Sequence, residues 1–134
     1  MGVKTSFDHV QIYVSNCKVS FLFYKKLLTY LGYTVVHEDA THLGMRNGST
    51  DIWFKEVSKE HKIPKYHRKK VGVNHLAFKV FKKSDVNKFN KEFLVLNKIK
   101  SLYNTPKNFP EYTNKYYAVF FEDPDRIKLE VVFL

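Results

Sequence analysis

The sequence predicts an α+β fold in which one βαβββ module is written twice, each four-stranded mixed sheet curving with its helix outside. Three observations carry this. The stretch FDHVQIYV (7–14) reappears 66 positions later as VNHLAFKV (73–80), with His9 and His75 in the same place in each. Each run is followed by a segment whose apolar residues recur at helical spacing, and then by three more strand-like runs. The modules cover about 5–57 and 72–134, joined by a polar linker at 58–71. With 134 residues, 44% of them apolar, the chain suits a single domain, 1–134, with a real core.

In the first module, HVQIYV alternates. His9, Gln11 and Tyr13 fall on one face and Val10, Ile12 and Val14 on the other. In SNCKVSFLFYKKLLTYLG, Val19, Phe23, Leu27 and Leu31 recur every four residues, predicting the buried stripe of a helix. Ser15 or Asn16 can cap its start and Gly32 can end it. YTVVHE, HLGMR and TDIWFKEV read as strands, the last two parted by the turn residues NGS.

The second module repeats the order. NHLAFKV is a strand with His75, Ala77 and Lys79 on one face. KKSDVNKFNKEFLVLNK spaces Val86, Phe89, Phe93 and Leu96 as a helix, with Ser84 as the expected cap. KIKSLY, KYYAVFFEDP and RIKLEVVFL are the expected strands, and NTPKNFPEYTNK between the first two reads as an irregular loop. In the last strand Ile127, Leu129 and Val131 share one face, and Lys128, Glu130 and Val132 the other.

The formal charge is +10, from 23 Lys and Arg against 13 Asp and Glu. The lysines are spread along the chain, and only KYHRKK (65–70) is dense. That spread argues against nucleic acid and for a field that favours small anions. No run is long and apolar enough to span a membrane, and no secretory h-region opens the chain. A single cysteine, Cys17, is consistent with the reducing cytoplasm. Cys17 opens the first helix, where thiol pKa values can fall, but no base accompanies it.

The two histidines lie opposite the faces that pack on the helices, so two such modules related by a pseudo-two-fold bring them together. Glu130 is an acid on the inner face of an otherwise apolar strand. Burying a lone carboxylate costs several kcal/mol unless it is paired or ligates a cation. Two imidazoles and a carboxylate form the facial set of a divalent metal, with Fe, Mn, Ni, Co or Zn all acceptable. His9, His75 and Glu130 are therefore the expected ligands. Gln11 and Tyr13 share the face of His9, and Trp53 mirrors the place of Glu130. These three, with Tyr117, are the expected pocket residues, Trp53 as a stacking wall and Tyr13 as a positioning group or general acid. Lys79 and Lys128 reach the same face and can meet an anion. His37, His42, His61 and His67 fall at strand ends or in the linker and are given no ligand role.

FDHVQIYVSNCKVSFLFYKKLLTYLGY, VNHLAFKV and YYAVFFEDPDRIKLEVV together resemble the vicinal oxygen chelate superfamily, the glyoxalase/bleomycin-resistance/extradiol dioxygenase group, over nearly the whole chain. The resemblance is to its small glyoxalase-like members. It implies a cup of paired modules around a divalent metal held by His9, His75 and Glu130. Members typically carry Gly where Arg126 stands. Glyoxalase I-like enzymes have a second glutamate where this chain has Trp53; Glu56 has the wrong parity to replace it. Three ligands fit extradiol dioxygenases and fosfomycin-resistance thiol transferases better, yet the basic residue that the transferases place beyond the glutamate has no counterpart before Leu134.

The expected function is a divalent-metal-dependent enzyme, a lyase, isomerase or dioxygenase, acting on a small substrate with vicinal oxygens. The alternative is a metal-free drug-sequestering protein of the bleomycin-resistance type, in which Tyr13, Trp53 and Tyr117 carry the affinity. A homodimer is expected in either case.

Overall fold

A computed structural model describes residues 2–134. The chain forms two compact units, one ending at Pro64 and one spanning Lys65–Leu134. Among the described residues no helix is long and apolar enough to cross a membrane.

The first unit runs β1 (His9–Val14), α1 (Cys17–Tyr30), β2 (Thr34–Glu38), β3 (His42–Asn47) and β4 (Thr50–Glu56), followed by a 3₁₀ turn at Lys59–His61. Its sheet has the order β1-β4-β3-β2, with β1 parallel to β4 and the other pairs antiparallel. Asn16 caps α1, its side chain accepting from the Val19 N–H at 3.3 Å. Beyond Leu31, Gly32 takes φ 90°, and the Tyr33 N–H returns to the Leu28 carbonyl at 2.8 Å.

The buried face of α1 is Ser20, Phe21, Tyr24, Leu27 and Leu28. Tyr24 stacks on Phe54 with ring centroids 3.9 Å apart, above the buried Leu43, Met45 and Ile52. This corrects the predicted stripe, since Val19 is exposed. A strict four-residue spacing drifts around a helix of 3.6 residues per turn, so it cannot stay on one buried face.

The second unit runs β5 (His75–Lys79), α2 (Lys83–Phe89), a π-helical turn (Asn90–Val95), β6 (Leu102–Asn108), β7 (Tyr117–Glu122) and β8 (Lys128–Phe133). Its sheet order, β5-β8-β7-β6, repeats the first, again with the first strand parallel to the last. Val86, Phe89, Phe93 and Leu94 are buried, and Phe89 lies 5.3 Å from Phe121 of β7. Leu94 is buried, eight residues after Val86 and on the same helical stripe, and Leu96, expected in the stripe, is exposed.

Ser84 is not the cap of α2. Lys82 holds that place, without a side-chain bond. The second strand of this module also lies further along than KIKSLY, because β6 takes in Thr105 and Pro106. Tyr103 and Asn104 have positive φ there, and the register shifts between Leu102 and Lys107. Arg126 adopts φ 67° in the turn before β8, the conformation for which a glycine is usual.

The faces of the second sheet are both covered. Val119, Phe121, Leu129 and Val131 pack on the helix side. On the other side Phe109, Ala118, Phe120 and Val132 form a second cluster, with Leu102 and Tyr116 against it. Fully burying each such side chain stabilises by about 1.5–3 kcal/mol.

Candidate functional site

The parallel pairing of β5 with β8 sets His75 opposite Lys128 and Ala77 opposite Glu130. Alternation then puts His75, Lys128, Glu130 and Val132 on the face away from α2. Glu130 is fully buried there. The Tyr116 hydroxyl donates to its Oε1 at 2.5 Å. Burial first, and that bond second, push the phenol well above its usual pKa, so it stays a donor. Glu130 Oε2 accepts no hydrogen bond. His75 Nε2 stands 3.1 Å from it, within ion-pair range but out of line for a hydrogen bond.

The tautomer of His75 follows from its neighbours. The Asn74 amide NH₂ donates to the Arg68 carbonyl at 3.1 Å, which turns Asn74 Oδ1 toward His75 Nδ1 at 2.7 Å. Nδ1 is therefore the donor, and Nε2 carries the lone pair, 3.1 Å from the unpartnered carboxylate oxygen but not in line with it. Two acceptors so close repel unless a proton or a cation binds beside them.

His9 has the same support in the first unit. Its Nδ1 donates to Asp8 Oδ2 at 2.6 Å, leaving Nε2 free on an exposed ring. Gln11, Tyr13 and Trp53 share the face of His9, as expected, and Tyr13 is exposed. Trp53 lies over Gly44, with His37 at 5.7 Å between ring centroids. Asp51, opposite His9, forms a two-pronged pair with Arg46 at 2.6 and 2.8 Å. That pairing, with smaller help from Trp53 and His9, holds the Asp51 carboxyl below its usual pKa.

Tyr117 does not share the face of Glu130. Its hydroxyl donates to Asn87 on α2 at 2.7 Å, and Lys83 Nζ sits 4.5 Å from its ring. Tyr116, one residue earlier, takes the expected place. The sequence reading missed it, although Tyr116 shares parity with Ala118 and Phe120. It also missed Asp8 and Asn74, the polar residue preceding each histidine. Cys17 departs from expectation too. A hydrogen bond with Glu56, first, and burial, second, push its thiol up.

Among the described residues no group of three or more His, Cys, Asp and Glu side chains is gathered as a ligand set for a metal. The second unit holds two candidate ligands face to face, His75 and Glu130. The registers also make the two modules comparable. Glu130 stands opposite the residue two past His75, and Trp53 opposite the residue two past His9. The first module has no carboxylate at that place.

Residues 6–131 match the Glyoxalase/Bleomycin resistance protein/Dioxygenase superfamily. The chain belongs to that superfamily. Across 92% of its length it is 33% identical to the uncharacterized protein YqjT of Bacillus subtilis, covering 95% of that protein. A solved structure from Bacillus halodurans, provisionally described as a glyoxalase, superposes with a TM-score of 0.87 at 33% identity, over 96% of this chain and 95% of that one. A lactoylglutathione lyase from Agrobacterium tumefaciens shares the fold, with a TM-score of 0.68 at 18% identity over 97% and 94% of the two chains.

Glyoxalase superfamily members are commonly metal-dependent. The donors here fit a divalent ion: a buried carboxylate with one orphan oxygen, an imidazole nitrogen 3.1 Å from it, and an outer acceptor fixing that imidazole.

Proposed function

We propose that this protein is a divalent-metal-dependent enzyme of the glyoxalase/dioxygenase kind, acting on a small substrate with two neighbouring oxygens. One observation carries the reading: His75 Nε2 and the orphan Oε2 of buried Glu130 stand 3.1 Å apart. His75 and Glu130 would hold the ion, and His9, with its Nε2 free and its Nδ1 bound to Asp8, is the proposed third ligand. The bound ion would supply Lewis acidity at the substrate oxygens. Tyr116 fixes the carboxylate rotamer of Glu130, and Asn74 fixes the ring of His75. Trp53 offers a flat apolar surface beside Gln11, and Tyr13 a hydroxyl on the same face.

A metal-free, drug-sequestering protein is the second reading. The exposed Tyr13 and the Trp53 surface favour it. Tyr117, turned to α2, does not contribute to such a lining.

Elemental analysis and metal titration of the purified protein separate the two. Near-stoichiometric metal in the wild type, lost in H75A and in E130Q, supports the enzyme. A wild type that takes up no divalent ion from any of the five candidate metals sinks it. H9A tests the third ligand in the same assay. Superfamily members bind small-molecule substrates and often dimerise. A cytoplasmic homodimer is part of this proposal, and light scattering reads its mass.

A further inference from the structure

We propose that Lys128 is the anion-binding element of the His75–Glu130 site, and that the substrate carries a carboxylate or phosphate next to its chelating oxygens. The inference rests on the proposed function and narrows its substrate class.

Lys128 stands opposite His75 in the β5–β8 register and two residues before Glu130. It therefore shares their face, roughly 6.5–7 Å along the strand from Glu130. Its side chain is held in place. Nζ lies 4.9 Å from the centroid of the Phe120 ring and 5.2 Å from that of Tyr103. Two aromatic faces fix a cation there without neutralising it. Residue 128 is half-buried, so part of its water shell is gone.

The acids nearby are otherwise engaged. Glu122 is the register partner of Lys128 across β7. Its carboxylate is taken by Arg68 at 2.7 Å and Arg126 at 3.3 Å. The oxygens of Glu130 are directed at Tyr116 and His75. Among the described residues Lys128 has no ion-pair partner. A fixed, partly desolvated cation without a counterion attracts an anion more strongly than a lysine in water does.

The first module shows that the charge is not a by-product of the repeat. There Asp51 occupies the equivalent place opposite His9, already paired with Arg46. Among the described residues, the second module sets an unpaired cation beside its histidine and the first does not. A substrate taken up at the site that His75 and Glu130 would form could then place its charged end on Lys128.

The test uses the full chain. Mn²⁺ is titrated first, then dihydroxyacetone phosphate and, separately, dihydroxyacetone, which shares the hydroxyketone and lacks the charge. Wild type and K128R should bind the phosphate ester at least about tenfold more tightly than the neutral triose. In K128M that preference should fall to about twofold or less, with Mn²⁺ still bound. A preference that survives in K128M overturns the proposal. So does a wild type that shows no preference, or that binds neither compound at millimolar concentration. Failure of Mn²⁺ to bind, with the charge preference still lost in K128M, would count against the metal reading and leave the anion site standing.

Discussion

Trp53 lies so close over Gly44 that a methyl group at position 44 would come within 2.8–2.9 Å of three atoms of the indole ring. The two residues are cross-strand partners on β4 and β3, so the glycine makes room for the ring. G44A should therefore tilt the indole and cost about 1–3 kcal/mol of stability. Trp53 is the single tryptophan in the chain, so its emission reports the displacement directly. Urea denaturation with an unchanged midpoint and an unchanged spectrum would show that the ring is not wedged there.

Removing the Tyr116 hydroxyl leaves Glu130 Oε1 buried without its donor. Y116F should lower stability by about 1–3 kcal/mol. It should also weaken divalent-metal binding about ten- to hundredfold, because the carboxylate loses the contact that orients it. The two effects are read separately, by denaturation of the metal-free protein and by metal titration. A purely structural tyrosine would move only the first.

The Asn74 amide gives a sharper contrast. N74L removes the acceptor at His75 Nδ1 and should reduce metal affinity about tenfold or more, whereas N74D keeps an acceptor and should retain most of it. Equal loss in both variants would mean that Asn74 acts through packing and not through the tautomer of His75.

Glu56 ties β4 to the start of α1. It accepts from Lys62 Nζ at 2.7 Å and from the Cys17 N–H at 3.1 Å. These bonds, the Lys62 one first, hold its carboxyl down from 4.5 to about 2. A carboxylate with a depressed folded pKa stabilises the fold above its unfolded value, and that stability is lost as pH falls toward the folded one. The urea midpoint should thus fall as pH drops from about 4.5 toward 2, and fall less in E56Q. At neutral pH, E56Q should be the less stable protein. An identical acid profile for both would remove Glu56 from the account.

Much of this architecture was legible from the repeat. The two FDHV- and VNHL-type starts fixed the strand–helix order, and simple alternation along RIKLEVV placed Glu130 with Lys128 and opposite Leu129. The Asn16 cap and the Gly32 stop were readable because their chemistry is local. Features that depend on tertiary packing were not. A π-helical turn follows Phe89, and nothing in NKEFLV announces it. The strand through Thr105 and Pro106 defeats propensity, since its pairing is broken by residues with positive φ. Tyr117 was set on the wrong face although the period-two rule, applied from Phe120, assigns that face to Tyr116. The tautomer lock on His75 required knowing that the Arg68 carbonyl comes back to Asn74, a contact six residues back that has no sequence signature.

That contact bears on how the duplication can be cut. Tyr66 donates to the Val73 carbonyl, and Arg68 both accepts from Asn74 and pairs with Glu122, so the polar stretch before β5 is the brace of the second half. A circular permutation opened between Pro64 and Lys65 keeps that brace on the strand it steadies. One opened a few residues later, at Val71–Gly72, preserves every strand and helix yet detaches the scaffold of the imidazole.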